Sequence, residues 1–353
     1  MYGLGKLRRC NAEMCCMIGI NAFAHLFREP SMSSLTLSRR QLFLGAAGAT
    51  GAVALNTSTP SLAWAAGRIT LGAWTKGMDA NPVLLGRLST ELGQALAIAS
   101  VFRGPGDVWP GPADAKLATG RTLLVSWHLD DQSYGYWASD AARPYLVVVA
   151  RQVKAYGKPV AIRPWAEMNG DWMPRQPTSS PTDGYPTGYL AFIAAWRAVV
   201  NIFRAEGVTN VRWVFNPTTD TYVETTDVRL IWPGRDYVDV LGLDGYNWGT
   251  DWRSFENIYA TQYARLTALA PDLPLWVCEI GCADPLSSLN TVTAPSGQSK
   301  ASWWRDMAAT AGTMSTLRAV VLFDIAKERD WRAASSRPAL TGLKAALVTL
   351  REL

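Results

Sequence analysis

A barrel of eight parallel strands and eight helices, the (β/α)8 TIM barrel in a single domain, is the α/β fold this sequence predicts. Three observations point to it. From residue 68 onward, short β-rich runs alternate with longer stretches of helical pattern. Eight such runs fit into roughly 285 residues, close to the ~250 usual for this barrel. The first strand is followed by Gly72-Ala73-Trp74-Thr75-Lys76-Gly77, which is no phosphate-cradling glycine loop. A doubly wound sheet, the structural alternative, thus lacks its nucleotide fingerprint.

In order along the chain, the strand-like runs fall at 69–74, 95–102, 122–127, 159–165, 211–215, 238–243, 275–278 and 317–323. Helical pattern appears between them at 144–156, 189–206, 255–270 and 302–313. In the second of these, Leu190, Ile193, Trp196, Val199 and Phe203 recur at helical spacing, which predicts one buried side. Polar loops at 176–186 and 286–298 are candidates for a substrate rim. No internal repeat or low-complexity run interrupts the body.

Composition narrows the function. The chain has 353 residues, 48% of them hydrophobic and 18% charged, which excludes disorder and fibrous repeats. Of its net charge of +5, the first 65 residues supply +4, with six basic and two acidic side chains. The body holds 28 basic against 27 acidic residues, so it has no electrostatic footprint for nucleic acid. Three of the five cysteines (Cys10, Cys15 and Cys16) lie in the leader, and no disulfide framework is expected. Cys278 and Cys282 are expected to be unpaired small hydrophobes, although a sharp turn between them could close a bridge. His128 is the lone histidine of the body, which argues against a zinc site of several His and Cys ligands and against Ser–His catalysis. No metal and no organic cofactor is expected, and carboxylates must carry any acid–base chemistry. Tryptophan is in surplus at sixteen, fifteen of them after residue 65. Such flat apolar faces serve as core or as platforms for sugar rings.

Residues 1–65 read as a leader. Ser38-Arg39-Arg40-Gln41-Leu42-Phe43-Leu44 resembles a twin-arginine export signal, an apolar stretch follows, and Ala63-Trp64-Ala65 offers a small-x-small cleavage site. The apolar run is shorter than the ~20 residues of a comfortable membrane span. An uncleaved signal anchor is the alternative. Residues 1–31 fit no export pattern, so Met32 is a candidate for the true start. The barrel domain is expected at 66–353, secreted or periplasmic, monomeric, and without a stable membrane span after cleavage.

Catalytic groups of such barrels sit at the C-terminal ends of strands. The fourth run leads into Arg163-Pro164-Trp165-Ala166-Glu167-Met168-Asn169-Gly170-Asp171-Trp172, where strand alternation predicts that Arg163, Trp165 and Glu167 share one orientation. The seventh ends at Glu279, a costly place for a carboxylate without a task or a partner. Two glutamates facing each other across a barrel mouth suit glycoside hydrolysis, and a retaining mechanism needs them about 5–5.5 Å apart. The structural alternatives are an ion pair of Glu167 with Arg163 and a loop cap made by Glu279.

These segments, together with Trp232-Pro233-Gly234-x-x-Tyr237-Val238-Asp239, Gly242-Leu243-Asp244-Gly245-Tyr246-Asn247, Glu279-Ile280-Gly281 and Asp330-Trp331-Arg332, resemble glycoside hydrolase family 26, which holds β-mannanases and some β-glucanases and β-xylanases. The resemblance spans most of residues 68–335 in the expected order. It implies a (β/α)8 barrel that retains anomeric configuration on a polysaccharide substrate. It also implies Glu167 as general acid/base and Glu279 as nucleophile. Tyr246 would donate to the nucleophile, Arg163 would hold its charge or a sugar hydroxyl, Trp172 and Trp331 would be sugar platforms, and His128 would bond a sugar hydroxyl. For each of these five the alternative is ordinary structure: a rim aromatic, a salt bridge, core tryptophans, a satisfied histidine.

Two departures stand out. Where the family's mannanases commonly carry histidine just before the acid/base glutamate, this chain has Ala166, which weakens the case for mannan. Arg175 stands where an aromatic is frequent. Besides a hydrolase, the sequence is compatible with a catalytically weak or inactive carbohydrate-binding barrel and with a transglycosylase.

Overall fold

Strands of a parallel barrel are covered on both faces, by the barrel interior and by the helix layer, so they must be apolar on both. The run Thr122–Trp127 meets that demand and is buried along its whole length. In the computed structural model, which describes residues 69–219, 226–289 and 291–353, it is the third of eight parallel strands. These are β1 (Thr70–Thr75), β2 (Ile98–Arg103), β3 (Thr122–Trp127), β4 (Val160–Pro164), β5 (Val211–Phe215), β6 (Val240–Asn247), β7 (Leu275–Cys282) and β8 (Leu317–Asp324). They close in sequence order, β8 pairing with β1, into the predicted (β/α)8 barrel. The leader, its twin-arginine motif at 38–44 and the cleavage site at 63–65 lie outside the described residues.

The helices are α1 (Val83–Leu92), α2 (Pro112–Leu117), α3 (Tyr134–Trp137), α4 (Arg143–Tyr156), α5 (Gly188–Ala205), α6 (Phe255–Leu269), α7 (Lys300–Ala311) and α8 (Arg337–Glu352). Among the described residues, no helix is long and apolar enough to cross a membrane. The buried face of α5 is rotated from the expected one. Phe192, Ala195, Trp196, Val199, Val200 and Phe203 face the barrel, whereas Leu190 is 47% exposed.

Inside the barrel the side chains sort into layers, because residues two apart on a strand share a face. The floor is apolar and includes Ile98, Leu124, Ala161, Val214, Val240, Trp276 and Cys278. Two residues further along come Ser100, Ser126, Arg163 and Asn216, all buried. The polar layer therefore begins where the apolar one ends, at the C-terminal half of the strands.

Two strands run longer than their sequence pattern suggests. Tyr246 lies within β6, not beyond it, and Glu279 lies inside β7, which continues to Cys282. Cys278 and Cys282 are both buried and free. Burial pushes the Cys282 thiol up to about 12 and raises Cys278 as well, which keeps both as inert thiols.

Candidate active site

Glu167 is carried by a turn and not by the strand. β4 stops at Pro164, and Trp165 and Glu167 take left-handed conformations, with φ of 48° and 62°. Non-glycine residues pay for such angles in strain, which the surroundings must offset. Here the Trp165 N–H donates to the Trp127 carbonyl at 3.0 Å and the Glu167 N–H to the Asn216 carbonyl at 2.8 Å. The turn breaks the expected alternation. The Trp165 indole donates to the Leu129 carbonyl at 3.1 Å and packs on Tyr134 and Phe192 in the helix layer, away from Arg163.

Behind the turn, the Asn169 amide clamps the loop after β5. It donates to the Thr218 carbonyl at 3.1 Å and accepts the Thr218 N–H at 2.8 Å. Trp172 folds back over Gly170, and its indole N–H donates to Glu167 Oε2 at 3.0 Å. A Cβ at Gly170 would stand 2.5 Å from that ring, so only glycine admits this close approach.

Glu279 is aimed by a bulge. In the register between β6 and β7, Leu243 faces Val277 and Asp244 faces Glu279, so Cys278 is the extra residue. A bulge of this kind re-aims side chains. Cys278 stays in the apolar floor, and Glu279 reaches the mouth with a side chain 12% exposed. Its two oxygens meet two donors, Arg163 Nη2 on Oε1 and the Tyr246 hydroxyl on Oε2. Tyr259 buttresses the backbone, its hydroxyl lying 2.8 Å from the Gly245 carbonyl and 3.1 Å from that of Glu279.

Arg163 is fully buried at the centre of this layer. Its Nε donates to Ser126 Oγ at 2.7 Å, and its Nη1 lies 2.9 and 2.7 Å from the two oxygens of Asp244. Its guanidinium also sits over the Phe102 ring, 5.9 Å from the centroid. Burial works against the charged guanidinium, but Asp244 and Glu279 outweigh it and raise its pKa above the ordinary arginine value. Asp244 is fully buried as well. Burial drives its carboxyl well above the usual range; Arg163 opposes this, and the charges of Glu279 and Glu167 add to it. The Tyr246 phenol is likewise raised by burial, then by Glu279 and Glu167, so it keeps its proton and remains a donor. The same two glutamates thus act on both Asp244 and Tyr246, which places them in one electrostatic neighbourhood.

The remaining expected residues surround this centre. His128 stacks on Phe102 at 5.8 Å, and its Nδ1 lies 3.3 Å from Asp130 Oδ2. Trp331 is 3% exposed and packs 4.9 Å from Tyr246 and 5.2 Å from Trp248, so it forms a wall of the mouth where an open platform was expected. The Arg175 carbonyl accepts the Tyr134 hydroxyl at 2.6 Å. Asp244 is the residue that sequence reasoning left without a role. Its signal was legible, since an aspartate directly after the apolar run Val240–Leu243 invites the same question as Glu279. Among the described residues, no cluster of three His, Cys, Asp or Glu side chains could hold a metal ion.

Residues 141–290, which include Arg163, Glu167, Asp244, Tyr246 and Glu279, match the family model for Glycosyl hydrolase family 26. Over this stretch the chain is similar to that family. The family 26 resemblance extends further in individual proteins. Over 254 residues, 68% of this chain and 26% of the relative, it is 33% identical to Endoglucanase H of Acetivibrio thermocellus. Over 130 residues, 35% of the chain and 22% of the relative, it is 35% identical to Mannan endo-1,4-beta-mannosidase A and B of Caldalkalibacillus mannanilyticus. The chain matches about a quarter of the length of these two proteins. Among solved structures, the catalytic domain of a family 26 endo-beta-1,4-mannanase from Bacillus sp. JAMB-750 superposes with a TM-score of 0.56 at 16% identity, covering 81% of this chain and 86% of that one. At that identity the likeness speaks for the fold alone.

Proposed function

We propose that the protein is a retaining glycoside hydrolase that cleaves a β-linked polysaccharide, with Glu279 as nucleophile and Glu167 as general acid/base. The observation that carries this reading is the pair of donors on Glu279, with Glu167 acting on the same buried groups from the turn after β4. A nucleophile must be ionised and fixed, and Glu279 has a cationic donor on one oxygen and a tyrosine hydroxyl on the other. A general acid must give up a proton and take it back, and Glu167 accepts the neutral indole donor of Trp172 on one oxygen.

In the first half of the reaction, Glu279 attacks the anomeric carbon while Glu167 protonates the departing glycosidic oxygen, leaving a covalent glycosyl-enzyme. In the second, Glu167 removes a proton from water as that water displaces Glu279, and net configuration is retained. Arg163 keeps Glu279 in line, and Asp244 keeps Arg163 in line. His128 and Trp172 border the sugar site, with Trp331 as its wall. The substrate is a β-glucan or β-xylan in preference to a β-mannan. Ala166, buried beside Glu167, has no side-chain donor or acceptor for a sugar hydroxyl, and the longer of the two curated matches is to an endoglucanase. The enzyme acts as a monomer outside the cytoplasm; the twin-arginine pattern at 38–44 and the cleavage site at 63–65 support export with the barrel domain folded.

Reducing-sugar release from a panel of mixed-linkage β-glucan, β-xylan and β-mannan tests this reading. Activity is expected on glucan or xylan, with the first product appearing as the β-anomer by NMR. An α-anomer would overturn retention. Binding without turnover of any polymer would replace the hydrolase with a carbohydrate-binding barrel, and longer oligosaccharides as the dominant product would make it a transglycosylase.

A further inference from the structure

Lys300 is the first residue of α7, immediately after the Ser299 cap, and it is 1% exposed. A buried ammonium is costly unless its protons are met by acceptors. Nζ donates to the Asp330 carbonyl at 3.0 Å and to the Arg332 carbonyl at 2.9 Å. Those two carbonyls bracket Trp331. The Trp331 ring lies 4.9 Å from that of Tyr246, and there is no slack between them and the strand behind. A Cβ at Gly281 would stand 2.8 Å from Tyr246 and 2.9 Å from Trp331. Tyr246 in turn donates to Glu279. Other bonds pin the same loop: Ser287 Oγ and Arg332 Nη2 on Asp330 Oδ2 at 2.7 Å each, the Ala333 N–H on Asp324 Oδ1 at 2.7 Å, and the Trp331 N–H on the Ile325 carbonyl at 2.9 Å. Lys300 grips it on both sides of the tryptophan at once.

We propose that Lys300 is a positioning residue for the hydrolysis: its ammonium fixes the backbone on either side of Trp331 and, through that ring, holds the Tyr246 hydroxyl on Glu279. The proposal rests on the reading of Glu279 as nucleophile. Lys300 touches no reacting atom and acts entirely through its neighbours. Its charge is also the part of this relay that titrates near neutral pH. Burial pulls the ammonium down to about 8, against the opposing pull of Cys282 and Asp284 from β7 and its loop and of Asp330 and Asp324 from β8 and its loop. Arg332, on the same loop, engages Asp330 at 2.7 Å. Above that pH the amine is neutral, the two bonds lose their charge assistance, and the Trp331–Tyr246 wall loosens.

Full-length wild type, Lys300→Met and Lys300→Arg are compared by kcat and KM from pH 6 to 10 on the polysaccharide the wild type cleaves, and by near-UV circular dichroism over the same range. Lys300→Met should lose about tenfold in kcat at pH 6 with KM little changed, as misplacement of a catalytic group does. Lys300→Arg, which keeps the charge, should recover most of that loss. The wild-type aromatic signal should change in one step near pH 8, and the step should be missing from Lys300→Met. Wild-type kcat in Lys300→Met, a loss confined to KM, or the same spectral step in that variant would overturn the proposal. Should Lys300→Met fail to fold, Trp331→Phe decides: the step should shrink, and a step of wild-type size would overturn the relay. A wild type inactive on every polymer would overturn the hydrolase reading instead. Lys300→Met equal to an active wild type would overturn the role of Lys300 alone.

Discussion

Glu167 and Glu279 face the same mouth from opposite sorts of backbone. Glu167 stands on a turn with two left-handed residues, beyond the last hydrogen-bonded residue of β4, and Trp172 folds over to meet it. Glu279 stands within β7, re-aimed by a one-residue bulge, and is clamped by Arg163 and Tyr246, both of them buried or backed by buried aromatics. The difference teaches how one barrel can hold two chemically identical side chains in separate settings, as the two tasks proposed for them require. A strained turn beyond β4 presents a half-buried carboxyl beside an indole donor, whereas a bulged strand over a buried guanidinium presents one held on both oxygens. Both devices sit just above the apolar floor, where the barrel changes from packing to polar chemistry.

Each side of that contrast can be broken separately. The largest effect is expected at the clamped side: Glu279→Ala should cut kcat by about 10⁵-fold, the scale of losing a nucleophile, while equilibrium binding of oligosaccharide persists. On the turn side, Glu167→Ala should slow polysaccharide hydrolysis by about 10²–10⁴-fold, the usual contribution of general acid catalysis. It should slow an aryl glycoside with a good leaving group far less, since that group departs without a proton. Equal losses on both substrates would remove Glu167 from the acid role.

The clamp itself is tested by stability. Arg163→Met leaves Asp244 and Glu279 without their cation, and breaking a buried pair in this way costs about 3–5 kcal/mol in denaturant unfolding. A change below 1 kcal/mol would mean that the guanidinium is dispensable to the barrel. A smaller effect comes from Lys300, whose pKa in the folded state lies near 8 against 10.5 in the unfolded chain. Between those values the unfolded state binds more protons, so the contribution of this residue to stability rises with pH and is lost again as pH falls through 8. The span corresponds to about 3 kcal/mol, read as the difference in pH dependence between wild type and Lys300→Met. A Lys300→Met curve parallel to wild type would contradict it.

Much of this was legible in the sequence because the physics is local. Strand-length apolar runs bounded by turns mark a parallel sheet, and a glutamate at the end of such a run demands explanation. Helices α1 and α8 were missed although Leu85, Leu88 and Leu92, and Leu343, Ala346, Leu347 and Leu350, carry a helical period. Helices α2 and α3 are too short to show one. What no local pattern carries is register. The bulge at Cys278 depends on how β7 pairs with β6 and β8, and the reversal of Trp165 depends on the bonds it donates to the Trp127 and Leu129 carbonyls, neither of which is a chain neighbour. Alternation alone would have Arg163 and Trp165 side by side. For the same reason Trp331 looked like a platform: its burial comes from Tyr246 and Trp248, some eighty residues away.

The central claim is that Glu279 attacks the anomeric carbon, and covalent trapping tests it most directly. The protein is incubated with an activated 2-fluoro glycoside of its β-glycan, digested, and sequenced by mass spectrometry. A single sugar adduct on Glu279, absent from the Glu279→Ala variant, is the result this account predicts. An adduct on Glu167 or on any other residue, or sustained turnover with no adduct at all, would contradict it.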